Sequence, residues 1–568
     1  MPASDVHVSV APLQEITAST GFSAMLTRNN SEETDEDGTF SVEGLAPGAY
    51  SIDVNAPGYI VDSGLLDEDG KPLYYRPGDS VTIRMIKGGV ITGKVTDSAG
   101  QPLVKAPVHA IRLRDDRGRP SHAANRASLT SGASTSGASE TDDRGIYRVY
   151  GLEPGTYVVS AGGAEEMTTP YSTSSPFAGD SPVYHPFGTV DGATEIKVQA
   201  RQETSGVDIS YSSIPGHSVS GHMSGKFATG GLVSIAAVSL SDARTGAPQA
   251  ETMSMAGADS HPFAIRGVPD GEYSLTALSF SPGKDLTLAA PKRVVVKGSD
   301  VTGIELTLTA ITAISGRVVI EAPKQDEKSA CKTAATRVEE VVVSPHSAEK
   351  RKTAEVAGSP DFVGQFIGDS TPDAKGDFLA QLLSGGNYHL EVNLKDEDLF
   401  LNSVTLPPEG ADKNPKDVSG GIAVKISQRV NGATLTISHG AARLSGRVTT
   451  AAGSNLPDRL RAYLVPVDKE SADNTLRYYD ALVRRDGSFE VKHIAPGRYY
   501  VVVHALTQDE WDEVNPRPIW WGGGPRRRLR QEAETANLTL ELKTCQQVNE
   551  FTVRYVSATP APQPAKRP

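Results

Sequence analysis

TDDRGIYRVYGLEPGTYVV, residues 141–159, joins two short strands through turns of defined chemistry, and the chain repeats it. Asp142 and Asp143 supply side-chain acceptors and Gly145 a permissive backbone, the requirements of a tight turn. Residues 146–150 then read as a strand. Pro154 and Gly155 predict a second turn, with a fixed φ followed by a positive one. Beyond it, Tyr157 and Val159 share one face of the next strand. The same pattern returns in TDEDGTFSVEGLAPGAYSI (34–52) and RRDGSFEVKHIAPGRYYVV (484–502), and more loosely at 259–275 and 373–390. Recurrence at this scale marks an array of small β modules.

Working outward, GGVITGKVTDSAGQPL (88–103) alternates Val90, Thr92, Lys94 and Thr96 with Ile91, Gly93 and Val95, which predicts a strand with one apolar face. APVHAIRL (106–113) is a second strand. Residues 114–140 turn charged and then Ser/Gly-rich without periodicity, and read as a mobile loop. TEIKVQA (194–200) and SGVDISYS (205–212) close the module. A short signature opens each next one: TGKV (92–95), SGHM (220–223), SGRV (315–318) and SGRV (445–448). That spacing suits one sandwich per repeat, with almost no linker between. The expected fold is all-β, a tandem array of about five Ig-like or prealbumin-like β-sandwich modules. Their boundaries fall at 1–87, 88–213, 214–310, 311–440 and 441–556, with a disordered Pro-rich tail at 557–568. DVHVSV (5–10) matches the second strand of later modules, so an opening half-module is expected to precede it, with any export signal.

SGRV or TGKV, then DSAGQPL, then TDDRGIYRVYGLEPGTYVV resembles the carboxypeptidase regulatory-like domain, a transthyretin-type β-sandwich found in multiples in secreted and cell-envelope bacterial proteins. The likeness is best at 88–213, good at 441–556, and rests on first and last strands at 214–310 and 311–440. It implies a fold and an envelope setting, and no activity.

Gross composition narrows the function. A net charge of −13 over 568 residues gives no field to attract a polyphosphate backbone, so nucleic acid is not an expected partner. The basic run RRRLR (526–530) reads as a solvated loop or turn. No run of 18 apolar residues is present to form a transmembrane helix. Cys331 and Cys545 are the only cysteines; two thiols make no metal site alone, and their pairing stays open.

Candidate sites are sparse. His346 and Glu349 form a His-x-x-Glu pair of the kind that begins a zinc-peptidase site, but such a pair is expected by chance, and its irregular surroundings offer no rigid third ligand. GGVITGK (88–94) nearly spells a phosphate loop, yet Val95 stands where Ser or Thr must be. The acidic clusters 35–37, 67–69 and 142–143 read as turn chemistry rather than calcium loops. No catalytic residue, metal site or cofactor is expected, and the chain is expected not to be an enzyme.

Aromatic loops remain. Tyr74 and Tyr75, Tyr184 near Phe187, and Trp520 and Trp521 each precede the closing strands of a module. They suit either a plug sealing the core or a flat platform for a sugar or a partner side chain. Repetition favours the plug. Trp520 and Trp521, read as strand neighbours, point to opposite faces, so one is expected to meet solvent or a partner. The resulting expectation is a spacer, adhesion or protein-interaction array at the bacterial cell envelope (extracellular, periplasmic or outer-membrane associated), binding an envelope protein. Glycan binding through the loop aromatics is the alternative.

Overall fold

The computed structural model describes residues 4–13, 30–67, 71–116, 118, 138–163, 167–168, 176–177, 179–227, 234–243, 248–256, 261–280, 286–323, 331, 336–349, 368–382, 384–408, 413–450, 456–457, 459–511 and 518–555. They form an all-β, multi-module protein in two compact units. The first holds residues 1–316, 339–388 and 423–431; the second holds 317–338, 389–422 and 432–568. The division passes inside the 311–440 stretch.

The second module shows the plan. Strand Gly89–Thr96 lies between Ile146–Leu152, antiparallel, and the short strands Glu203–Thr204 and Ile209–Ser210, both parallel to it. The facing sheet centres on Gly155–Ala161, which pairs with Pro107–Asp115, Val183–Tyr184 and Ile196–Val198. Alternation puts Ile91, Val95, Tyr147, Val149 and Ile209 from one sheet against Val108, Ala110, Tyr157 and Val159 from the other, in one buried core. The loop expected at 114–140 lies mostly outside the described residues, as does the tail at 557–568. Its flanks, Pro107–Asp115 and Ala138–Glu140, pair with each other.

Two further modules repeat the arrangement. His217–Gly225 pairs with His261–Val268 and runs parallel to Val301–Ala310. Ala442–Thr449 pairs with Ser488–Ile494 and runs parallel to Gln547–Arg554. The signature glycine sits on this first strand in each. A Cβ on Gly93 would stand 1.9 Å from the Val207 carbonyl oxygen, on Gly221 1.8 Å from that of Ile304, and on Gly446 2.5 Å from that of Phe551. The parallel last strand presses its backbone where a side chain would be, which explains the glycine in TGKV, SGHM and SGRV.

A second shared device lies in the repeat that opens the sequence. Tyr50, Tyr157, Tyr273, Tyr388 and Tyr499 each donate their hydroxyl to the carbonyl four residues upstream, at Ala46, Glu153, Pro269, Ser384 and Ala495, over 2.7–2.9 Å. All five rings are buried. This is a tyrosine corner, which pins the turn leading into the strand that carries the tyrosine. Gly155 plays a different part from the one expected. Its φ is not positive; it starts a strand, and a Cβ there would meet the Arg114 carbonyl oxygen at 2.3 Å.

The acidic turns use their carboxylates internally. Asp142 accepts from the backbone N–H of Arg144 and Ile146 at 2.9 and 2.8 Å, Asp35 from Asp37 and Thr39 at 3.0 and 2.8 Å, and Asp373 from Lys375 and Asp377 at 2.8 and 2.9 Å. These bonds favour the ionised form. The backbone bond from Ile146 holds Asp142 below its ordinary value, while side-chain bonds from Thr39 and Ser488 do the same for Asp35 and Asp486. Since the folded value lies below the unfolded one, the contribution is complete above the ordinary aspartate value of 3.8 and is lost as pH falls beneath it. Circular dichroism during acid titration should therefore show loosening begin below that value; a hairpin signal unchanged through that window would contradict these bonds.

Candidate functional site

The fifth module carries the largest departure from the sequence expectation. Residues 523–536, which include RRRLR, form the helix Gly523–Ala536 rather than a loop. Pro525 sits in the first turn, where a missing N–H costs nothing, and Asn537 closes the helix in the left-handed region with φ 50°. Leu529 and Ala533, one turn apart, are its buried residues. They pack with Tyr463, Val465, Tyr478 and Trp520. Strand Leu460–Pro466 thus buries both faces: Leu460, Ala462 and Leu464 enter the sandwich core, and Tyr463 and Val465 enter this second cluster.

The arginines are largely consumed by anchoring. Arg526 donates to the Trp520 carbonyl at 2.9 Å and to Asp473 at 3.1 Å. Arg530 donates to the carbonyls of Pro466 and Val467, both at 2.8 Å, and to Glu534 at 3.0 Å. Arg527 and Arg528 are exposed. Pro525, the Leu529–Ala533 spacing and Asn537 were the available helix signals, outweighed by the density of charge.

Trp520 and Trp521 lie in the short 3-10 helix Ile519–Trp521, so the strand geometry assumed from sequence does not apply. Trp520 is buried, stacked near Tyr478 at 6.1 Å and meeting Tyr463 edge-on at 6.1 Å. Trp521 is half-buried and lies parallel to the His389 ring, with centroids 4.2 Å apart. Trp520→Ala should destabilise the fifth module by about 3–5 kcal/mol and release the helix, because it empties the centre of the second cluster. Trp521→Ala, which removes one stacked pair, should cost about 1 kcal/mol. Amide exchange across 523–536 separates the two; equal effects would contradict the different burial.

The other aromatic loops lie in the first unit. Tyr184 is buried in the strand Val183–Tyr184, its phenol pushed up to about 12 by burial and hydrogen-bonded to Gln249 of the next module. Tyr74 is half-buried and donates to the Asp369 carboxylate. Tyr75, also half-buried, donates to the Gly64 carbonyl, and its backbone pairs with Tyr50. Beside them, Arg76 is buried and reaches the Glu340 carbonyl at 3.1 Å. Phe187 is 69% exposed. The described contacts give each loop separate surroundings and gather no common site.

Sequence reasoning missed a polar clamp in the second unit. Glu397 bonds Lys492 at 2.8 Å and Arg443 at 3.1 Å, and Arg443 also pairs with Glu490. The Lys492 bond holds the Glu397 carboxyl below its usual range. Close by in the chain, Asp398 meets His439 at 2.8 Å, and His493 bonds the Leu399 carbonyl at 2.8 Å, its ring pushed toward neutrality by burial. Arg477 grips Asn402 at 2.7 Å. A second link, the Cys331–Cys545 disulfide with Cα atoms 5.4 Å apart, closes a loop across 214 positions.

His346 lies in the strand Val342–Ser347, and Glu349 is exposed beyond its end. Among the described residues, no three His, Cys, Asp or Glu side chains are grouped to hold a metal ion. No helix among them is long and apolar enough to cross a membrane.

No protein-family model matches the chain, and no curated protein sequence does. Solved structures similar to it include the Bacillus anthracis TIE protein, at 10% identity over 98% of this chain and 75% of that one, TM-score 0.14. GBS52, the minor pilin of Streptococcus agalactiae, is 14% identical over 38% of this chain and 85% of its own, TM-score 0.18. The full-length major pilin SpaD of Corynebacterium diphtheriae is 11% identical over 62% and 97%, TM-score 0.14.

Proposed function

We propose that this chain is a non-catalytic interaction array of the bacterial cell envelope, built from carboxypeptidase regulatory-like modules bounded at 1–87, 88–213, 214–310, 311–440 and 441–556. The tyrosine corner that recurs in all five is the observation that carries the reading: the sequence repeats a scaffold and no chemistry. Neighbouring modules are tied together by Tyr184 to Gln249 in the first unit and by the Glu397 clamp in the second. Such ties within each unit support a spacer reading over freely jointed modules, with the loops as the binding surface. The disulfide suits an oxidising compartment outside the cytosol.

Cross-linking of the exported chain on intact cells, followed by identification of the captured material, tests the proposal. Capture of an envelope protein is expected, with a flat glycan array and no peptidase activity. Chelator-sensitive peptidase activity lost in His346→Ala would overturn it in favour of a hydrolase. Glycan binding lost in Trp521→Ala, the half-buried ring of the pair, with amide exchange of 523–536 unchanged, would overturn it in favour of a lectin-like role.

A further inference from the structure

Six residues before the corner tyrosine, the first, second and third modules carry Gly44, Gly151 and Gly267, with φ of 74°, 70° and 70°. The fifth carries His493 there, with φ 55°. A ring-bearing residue on a left-handed backbone is strained, and such strain persists where the surroundings use the side chain. Half-buried, His493 reaches out of its own module, and its Nδ1–H donates to the Leu399 carbonyl at 2.8 Å. The same joint exists in the first unit without such a ring. Gly88 N–H donates to the Gly58 carbonyl at 2.9 Å as Ala441 N–H donates to that of Asp398 at 2.8 Å, and Tyr59 N–H bonds Ala56 at 3.0 Å as Leu399 N–H bonds Asp396 at 3.2 Å. A Cβ on Gly151 would stand 3.9 Å from the Tyr59 carbonyl oxygen, the counterpart of the Leu399 acceptor. Pro57, Gly58, Ile86, Val90, Tyr150 and Gly151 thus take the places of Glu397, Asp398, His439, Arg443, Lys492 and His493. At these places one joint has neither histidine nor carboxylate, and every residue of the other can carry charge.

We infer that the joint between residues 394–402 and the fifth module is an acid-opened hinge, held shut by His493 while its ring is neutral and parted when the ring takes a second proton. Glu397 and Asp398 approach the ring from one side and Lys492 precedes it in the chain. His439 joins through Asp398 at 2.8 Å, and Arg443 through Glu397 at 3.1 Å, with Glu490 paired to Arg443. Burial favours the neutral ring and Lys492 does the same, while the Leu399 bond, Glu397 and Asp398 act against them without reversing the balance. The folded value therefore lies below the ordinary histidine value of 6.5, so the contribution to closure is complete above 6.5 and is lost as pH falls beneath it. Glu397 is held below its usual range by the Lys492 bond, so His493 yields before it does. The Cys331–Cys545 bond tethers the two sides of the joint, which keeps opening reversible. Each sandwich stays folded, and the circular dichroism of its strands does not change in this window.

The hinge acts whatever the array binds, and the full chain contains its own control. Protection of the Leu399 and Ala441 amides, corrected for the intrinsic pH dependence of exchange, should fall several-fold between about pH 7.5 and about pH 5.5, toward a limit of about tenfold set by one unit of histidine titration. Protection of the Tyr59 and Gly88 amides should stay constant. His493→Gly restores the residue of the other modules, and His493→Asn tolerates the left-handed backbone and keeps a donor, so each should remove the response. An unchanged wild-type joint, an equal fall at Tyr59 and Gly88, or a response that survives in either variant would overturn the hinge. So would protection already lost at the higher pH in both variants, since His493 would then be a structural pin and not a switch.

Discussion

Gly93→Val is expected to cost the second module on the order of 4 kcal/mol, at the upper end of what single substitutions do. The atom that blocks the new side chain is a backbone oxygen, Val207 O, 1.9 Å from where the Cβ must go. No rotamer change relieves that contact. The parallel pair must part, which gives up the bond from Val207 N–H to the Thr92 carbonyl at 3.1 Å. It also pulls the Val207 carbonyl from the Tyr147 hydroxyl, a buried bond of 2.6 Å. Lys94→Ala, one residue on, serves as the control and should stay within about 0.5 kcal/mol. Amide exchange of strands Gly89–Thr96 and Ile146–Leu152 in the full chain reads the difference. A valine variant with wild-type protection there would mean that the last strand does not press on the first.

The contrast between Gly93 and Gly155 shows what the sequence disclosed. Alternation at Ile91 and Val95 and the Asp142–Gly145 turn are local signals, set by periods of two residues and by turn chemistry, and both appear in the structure as read. The role of a glycine depends on what approaches it from elsewhere in the chain. Gly155 looked like a turn residue with positive φ and is a strand residue under the Arg114 carbonyl. The helix Gly523–Ala536 was missed for a related reason: its apolar stripe is only Leu529 and Ala533, and the remaining stabilisation comes from Arg526 and Arg530 reaching carbonyls of other segments. From sequence alone Trp520 reads as a strand residue; in the structure the helix beside it makes a second core with it. The aromatic loops were visible as a repeated element; whether each ring was covered was not, because Asp369 and Gln249 lie far along the chain from Tyr74 and Tyr184.

Reduction of the Cys331–Cys545 bond should produce the second large effect, confined to the second unit. The pairing was beyond sequence logic, since two cysteines separated by 214 positions carry no spacing signal. That separation is also why the bond matters. In the chain-entropy description, a cross-link restrains the unfolded chain more as the enclosed loop lengthens, reaching on the order of 5 kcal/mol for a loop of this size. Measured effects usually fall below that limit, so about 2–5 kcal/mol is the expected loss. Cys545 precedes the strand Gln547–Arg554, whose parallel pairing with Ala442–Thr449 holds the fifth module together. Loosening should therefore reach Phe489 and Val553 in the core of that module before it reaches the modules of residues 88–310. Urea unfolding with and without reductant, followed by amide exchange, gives the measurement. Cys545→Ser should reproduce the reduced protein and no longer respond to reductant. A midpoint unchanged by reduction, or a Cys545→Ser variant that still responds, would show that the link does not restrain this unit in solution.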